Sequence, residues 1–390
     1  MPPSSERRIA PAAEDGPERS GETTNGGHPL DLASYYSAYC RQGMVDLSRS
    51  SADPPPLTCC FESVPWAAVR PPGGIFELRA AVAARCYTSL SAEDILLCSG
   101  ASEALVATAL ALASAGSPVV ALSGTYPSFT GTLHALSAPR YASFEACPTP
   151  PACALATNPS LPDGQRADLA GFIERSLSLG SVPIVDEVYR HIAIDGLPSP
   201  QAAADLHPSA LSIDDLSKPL GLGGLRVGWI ATRNRPVRAR IERALQLITG
   251  GPSVLADIAA LAALEIFDEH VRRQQQLARS DAPAVYHELC RAGWSFTPPQ
   301  LGLTFMARRP EPLDPLGLER ARRAGFFLVP ASVLDMAEET SALRISLLAE
   351  PSCLRSALAL LRSRQAGGSG GGCRSARIPP SDDAALARLA

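Results

Sequence analysis

Asp214-Asp215-Leu216-Ser217-Lys218-Pro219-Leu220-Gly221-Leu222-Gly223-Gly224-Leu225-Arg226-Val227-Gly228-Trp229 is the stretch from which the fold and chemistry of this chain are read. It holds the only lysine of a 390-residue sequence; every other member of its 35 Lys and Arg residues is arginine. Arginine supplies a solvated positive charge as well as lysine does. Its guanidinium stays protonated, however, whereas an ammonium can lose its proton and attack a carbonyl. Lys218 is therefore a candidate Schiff-base residue. The count alone fits an arginine-rich codon usage equally well, so the flanking residues have to decide.

Upstream of this stretch, short β-rich runs alternate with alanine-rich helical ones: 94–98 then 102–115, 118–122 then 128–135, 152–157 then 167–179, and 183–186. Two further strands are expected at 210–214 and 225–231, followed by a helical region from about 236 to 289. The alternation predicts an α/β fold whose large domain is a mostly parallel, doubly wound sheet. After Ala292 the strands 294–297, 303–307, 326–329 and 343–347 interleave with helices near 316–324 and 352–362, which predicts a smaller α+β domain. A short helix is expected at 31–36. The expected organisation is a disordered polar tail (1–28), an N-terminal arm belonging to the small domain (29–72), the large domain (73–285), the small C-terminal domain (286–365) and a flexible tail (366–390) that opens on the glycine-rich run 367–372.

The formal net charge is −4, with 46% hydrophobic and 19% charged residues, so no electrostatic footprint for nucleic acid is present. The ten cysteines are scattered without a C-x-x-C spacing, which speaks against a metal site and a disulfide framework. No run reaches the roughly 18 to 20 apolar residues that cross a bilayer, and the polar start lacks the apolar core of a signal peptide. The expectation is a cytoplasmic protein with no membrane or nucleic-acid partner.

The segment around Lys218 closely resembles the S-x-S-K-x-x-G-L-x-G-L-R-x-G-W run of class I/II aminotransferases, the fold type I enzymes that depend on pyridoxal 5′-phosphate. In that family the lysine forms the internal aldimine with the cofactor, and the arginine eight residues later holds its phosphate; Arg226 is eight residues after Lys218. A dinucleotide-binding reading of the same glycines fails for want of strand, turn and helix in order. Four more segments fall in family order. Ser99-Gly100-Ala101-Ser102 follows an expected strand and opens a helix, where backbone N–H groups and the positive dipole end suit a phosphate. Thr125-Tyr126-Pro127 brings Tyr126 to where the family stacks a ring on the pyridine face.

Asp186-Glu187-Val188-Tyr189 resembles the family's D-E-x-Y, so Asp186 would pair with the pyridine nitrogen and Tyr189 would reach the ring 3′-oxygen. Leu343-Arg344-Ile345-Ser346 matches the arginine that grips the substrate α-carboxylate, a task for a planar two-point donor. The resemblance covers residues 30 to 363 and implies Lys218 as catalytic amine, with Gly100, Ala101, Ser102, Tyr126, Asp186, Tyr189, Ser217 and Arg226 around the cofactor, Arg344 on the substrate, and no metal.

The chain departs from the pattern in three segments. Leu161 replaces the second asparagine of the family's N-P-x-N-P-T-G loop, leaving Tyr189 alone at the 3′-oxygen. Asp215 replaces a phosphate-binding Ser or Thr; a carboxylate beside a phosphate is unfavourable, so Asp215 is expected to face Arg226 or turn away, with Ser217 remaining as phosphate donor. Val69 and Arg70 stand where relatives often contribute a tyrosine across a dimer interface. The resemblance implies a homodimeric transaminase acting on an α-amino acid and a 2-oxo acid. A specialised cyclase, lyase, decarboxylase or oxidase using the same cofactor is the alternative, and a cofactor-binding pseudoenzyme the remote one.

Overall fold

The computed structural model describes residues 32–57, 71, 73–122, 126–249, 251–334, 336 and 339–361. Both expected tails, Val69, Arg70 and Thr125 lie outside them. The first part of the chain forms α1 (Leu32–Tyr39), β1 (Val45–Asp46), α2 (Phe76–Cys86), β2 (Ile95–Cys98), α3 (Ala101–Leu112), β3 (Val119–Ala121), α4 (Pro127–Ala135) and β4 (Arg140–Tyr141). The middle forms β5 (Cys153–Thr157), α5 (Leu169–Ser178), β6 (Val182–Asp186), α6 (Ala203–Leu206), β7 (Leu211–Asp215), β8 (Gly228–Ala231), α7 (Arg235–Ile248), α8 (Val254–Glu265) and α9 (Phe267–Arg291). The last part forms β9 (Ser295–Phe296), β10 (Thr304–Arg308), α10 (Pro315–Arg323), β11 (Phe326–Phe327), β12 (Val329–Pro330), β13 (Ala342–Ser346) and α11 (Pro351–Leu360).

Seven strands make one sheet in the order β2-β8-β7-β6-β5-β3-β4. Its pairs from β7 to β4 are parallel, and β8 runs antiparallel between β7 and β2. Helices cover both faces, which explains why Ile95-Leu96-Leu97-Cys98 is apolar without alternation. Side chains still alternate in direction. Leu96, Cys98 and Ile230 pack with α3 and α7, whereas Ile95, Leu97, Trp229 and Ala231 pack with α2 and α8. Each fully buried large apolar side chain contributes roughly 1.5 to 3 kcal/mol relative to exposure.

A four-stranded sheet, β12-β13-β10-β9, surrounds the second large core with α9, α10 and α11. A third, two-stranded sheet joins β1 to β11 in parallel, and Tyr35 and Tyr36 of α1 lie on Phe327. Among the described residues no helix is long and apolar enough to cross a membrane.

Three expected elements differ. The single helical region is three helices: Gly251 has a φ of +108° and Ser253 caps α8 by accepting from the Ala256 N–H, which breaks the run. The strand expected from 225 starts at Gly228, because 223–225 form a 3-10 turn and Arg226 is left-handed at φ +56°. The strand expected at 326–329 is shared between two sheets, with Phe326–Phe327 on β1 and Val329–Pro330 on β13. The expected domain junction at 285/286 falls inside the continuous helix α9, whose Phe267 and Val271 belong to one core and whose Ala278 to Leu289 belong to the other.

Candidate active site

Parallel pairing brings the carboxyl ends of β5, β6 and β7 to one edge, where ligands bind in open α/β sheets. Thr157 pairs with Asp186 in register, and Asn158, Asp186 and Asp215 emerge there. β8 runs the other way, so its first residue, Gly228, opposes both Asp215 and Cys98 and brings the start of α3 to the same edge. The small sheet adds Arg344 from β13, and the N-terminal arm adds Tyr36, Asp46 and Ser50.

These elements enclose a cavity of about 470 Å3. Lys218, Ser217 and Arg226 line it, as do Asp186, Tyr189 and Arg344. Ala101, Ser102 and Tyr126 complete the expected set on its wall. Gly100 alone among the expected residues is not on the wall; it lies behind Arg226. Its φ is +89°, and a Cβ there would stand 2.5 Å from Arg226 Nη2, so only glycine admits the guanidinium. Gly228 is equally constrained, since a Cβ there would meet the Gly100 backbone at 2.7 Å.

Lys218 Nζ donates to Ser50 Oγ at 2.9 Å and lies 5.4 Å from the centroid of the Tyr189 ring. Arg344 Nη2 donates to Tyr36 Oη at 3.0 Å, and Tyr36 in turn donates to Asp46 Oδ2 at 3.1 Å. Arg344 Nε is buried without a partner, a donor free for an anion in the cavity. Asn158 Nδ2 is likewise buried and unpartnered, while its Oδ1 accepts from the Ala167 N–H. Asn158 is the first asparagine of the loop that carries Leu161, and that is its signal in the sequence. Tyr36 and Asp46 had no sequence signal tying them to Arg344.

Asp215 neither faces Arg226 nor turns away. Its Oδ1 accepts from the Ser217 N–H at 2.9 Å and from Ser217 Oγ at 2.6 Å, and its Oδ2 accepts from the Ala101 N–H at 3.4 Å. Ser217 thus gives its hydroxyl proton to Asp215 instead of presenting it to a phosphate. Arg226 donates to the Gly223 and Ser99 carbonyls.

Burial pushes the Asp186 carboxyl up to about 7; the Val188 N–H opposes the shift, and the charges of Asp215, Asp214 and Glu187 add to it. Behind Asp186, the buried Arg190 lies between Glu187 and Asp214, and Asp214 Oδ2 is 2.8 Å from His191 Nε2. Burial lowers the His191 pKa well below its usual value, so the neutral imidazole donates to Asp214. The raised Asp186 pKa has a consequence for stability. The folded protein holds this proton where the unfolded chain, near 3.8, has lost it, so stability falls as pH rises between 3.8 and about 7 and is flat beyond. In protein prepared without cofactor, Asp186→Asn should flatten the decline of melting temperature across that window; an unchanged slope would assign the decline to other groups.

The sequence profile of the family described as aminotransferase class I and II matches residues 62–360. An aromatic amino acid aminotransferase of Cutibacterium acnes is 30% identical over 131 residues, 32% of this chain and 35% of that protein. Its counterpart in Streptomyces avermitilis is 31% identical over 161 residues, 40% of this chain and 44% of that one. The chain thus spans less than half the length of these curated relatives. Among solved structures, the aspartate aminotransferase of Thermus thermophilus with maleate superposes with a TM-score of 0.69 at 20% identity, covering 84% of this chain and 93% of that chain. A PLP-dependent cyclase, OrfR, superposes with a TM-score of 0.72 at 20% identity, covering 88% and 98%. At these identities the structural likeness shows the fold.

Proposed function

This chain belongs to the aminotransferase class I and II family, and from that premise we propose that it is a pyridoxal-phosphate-dependent transaminase moving an amino group between an α-amino acid and a 2-oxo acid. The observation that carries the reading is the meeting, in one cavity, of the lone lysine amine, the buried Asp186 carboxyl and Arg344 with its unpartnered Nε. The donor set fits the cofactor. Asp186 suits a pyridine nitrogen, Asn158 Nδ2 and Tyr189 offer donors to the ring oxygen, and Tyr126 offers an aromatic face. At the other end the Gly100 cradle, the start of α3 at Ser102 and Arg226 suit the phosphate, while Asp215 engages the Ala101 N–H and Ser217.

Bound pyridoxal phosphate supplies an electrophilic carbonyl carbon and an electron-withdrawing ring. This chain's own residues supply the rest. Asp186, placed in a buried setting, would hold a proton at the pyridine nitrogen. Arg344, braced by Tyr36 and Asp46, grips the α-carboxylate and fixes which Cα bond faces the reacting plane. Lys218 Nζ, on the wall of the same cavity, would take the α-proton as general base. Ser50 accepts a hydrogen bond from that amine and so aims it.

Part of the cavity wall is apolar. Leu32, Leu161, Val188, Met306 and Leu334 line it, while Arg49 is held by Asp53 and the Ser51 carbonyl. An acidic substrate side chain would meet Asp46, and among the described residues of the wall Arg49 is already paired with Asp53, so apolar or aromatic amino acids are the proposed donors. The reading extends to a homodimer acting in cytoplasmic amino acid metabolism, as the family resemblance implies.

The test is a single turnover of the loaded protein with a panel of amino acids. One equivalent of 2-oxo acid should appear, and a second 2-oxo acid should restore the starting spectrum. Phenylalanine or leucine should exceed aspartate in kcat/KM by about tenfold or more. Carbon dioxide, an alkene or a cyclised product in place of the oxo acid would replace transamination by one of the alternative reactions.

A further inference from the structure

We propose that Asp215 competes with the cofactor's phosphate for the anion cradle, so that this chain holds pyridoxal phosphate mainly through its ring end and Lys218 and binds the unlinked, amine form weakly. The inference rests on the cofactor reading above. Asp215 sits on a fixed stretch of backbone. It closes β7 opposite Gly228, and Gly228 in turn backs onto Gly100, where even a Cβ would come within 2.7 Å of main chain. On that backbone its carboxyl lies at the start of α3, hydrogen-bonded to Ser217.

There it has three donors: the Ala101 N–H, the Ser217 N–H and the Ser217 hydroxyl. Ala101 and Ser217 are residues that the family resemblance assigns to the phosphate. Charge points the same way. The helix start contributes about half a positive charge and Arg226 one more, and a phosphate ester brings about −1.5 to −2. With Asp215 ionised, most of the cationic counterweight is already used. The Ser or Thr that the resemblance expects at this position would leave the donors free and add one.

The clean probe is pyridoxamine 5′-phosphate, which cannot link covalently to Lys218, with pyridoxamine as the phosphate-free control. Calorimetric titration of wild type, Asp215→Ser and Asp215→Asn is the measurement, with circular dichroism and melting confirming that the variants fold. Both variants should bind pyridoxamine 5′-phosphate about tenfold or more tighter than wild type, and pyridoxamine within about twofold of it. In wild type alone, phosphorylation should improve binding by less than about a hundredfold. Unchanged or weaker binding in folded variants, or a larger wild-type ratio, overturns the proposal about Asp215 and leaves the transaminase reading standing. The absence of saturable binding of either probe, together with no visible absorbance band on adding pyridoxal phosphate, ends both.

Discussion

Lys218→Arg yields a folded protein that develops no visible absorbance band with pyridoxal phosphate and loses at least about four orders of magnitude in kcat/KM. Loss of a positioned general base alone reaches that size, and the covalent attachment is lost with it. Stability should change little. Lys218 is half-buried, makes one side-chain hydrogen bond, to Ser50, and lies near the Tyr189 ring; arginine keeps the charge and most of the stem. The measurement is an absorbance spectrum of each protein with cofactor, beside melting curves of both. A band of wild-type intensity in the arginine variant would remove the catalytic role from Lys218 and return the single lysine to codon usage.

The part of this site that was legible in the sequence is the part whose residues are local to one another. Lys218, Ser217 and Arg226 lie in one turn-rich segment between β7 and β8, and Asp186 and Tyr189 follow one buried strand. Gly100 was legible for the same reason: a strand-to-helix turn must place its residues together. The sheet was legible because both faces are covered, which makes each central strand a short apolar run between helices. What escaped is non-local. Tyr36 meets Arg344 across 308 positions of sequence, and Ser50 meets Lys218 across 168. No periodicity encodes such pairs. The direction of Asp215 is not legible either, because its partners Ser217 and the Ala101 N–H meet it only where Gly228 and Gly100 lie back to back. The strand expected at 326–329 failed differently: its residues are all strand-forming, and only the arrival of β1 beside Phe326–Phe327 divides them between sheets.

Arg190→Met should be the most destabilising substitution near the site, because it removes a cation and leaves its partners. Arg190 is 5% exposed, and Glu187 and Asp214 are fully buried. Its Nε lies 3.7 Å from Glu187 Oε2, and its Nη2 lies 3.4 Å from Asp214 Oδ2 and donates to the Cys86 carbonyl at 3.0 Å. Its guanidinium also lies 5.5 Å from the Tyr87 ring centroid. Breaking a buried pair by removing one partner costs about 3 to 5 kcal/mol, which in a chain of this size lowers the melting temperature by roughly 4 to 6 °C.

Two arms separate this from a simple packing defect. Burial already raises the Glu187 and Asp214 pKa values with Arg190 present, and without it both carboxyls take up protons more readily. The folded variant then binds more protons than the folded wild type, whose carboxyls ionise at about 7 and about 8, so its deficit should shrink as pH falls through that range and be flat below it. Adding Glu187→Gln to Arg190→Met should recover part of the loss, since neighbours sharing one charge network are not additive. A deficit independent of pH and untouched by the second substitution would reduce Arg190 to its packing volume. Glu187 and Asp214 immediately adjoin Asp186 and Asp215, so the same variant should also weaken cofactor binding. The buried arginine thereby ties the strands that carry the two cavity carboxylates to the stability of the sheet beneath them.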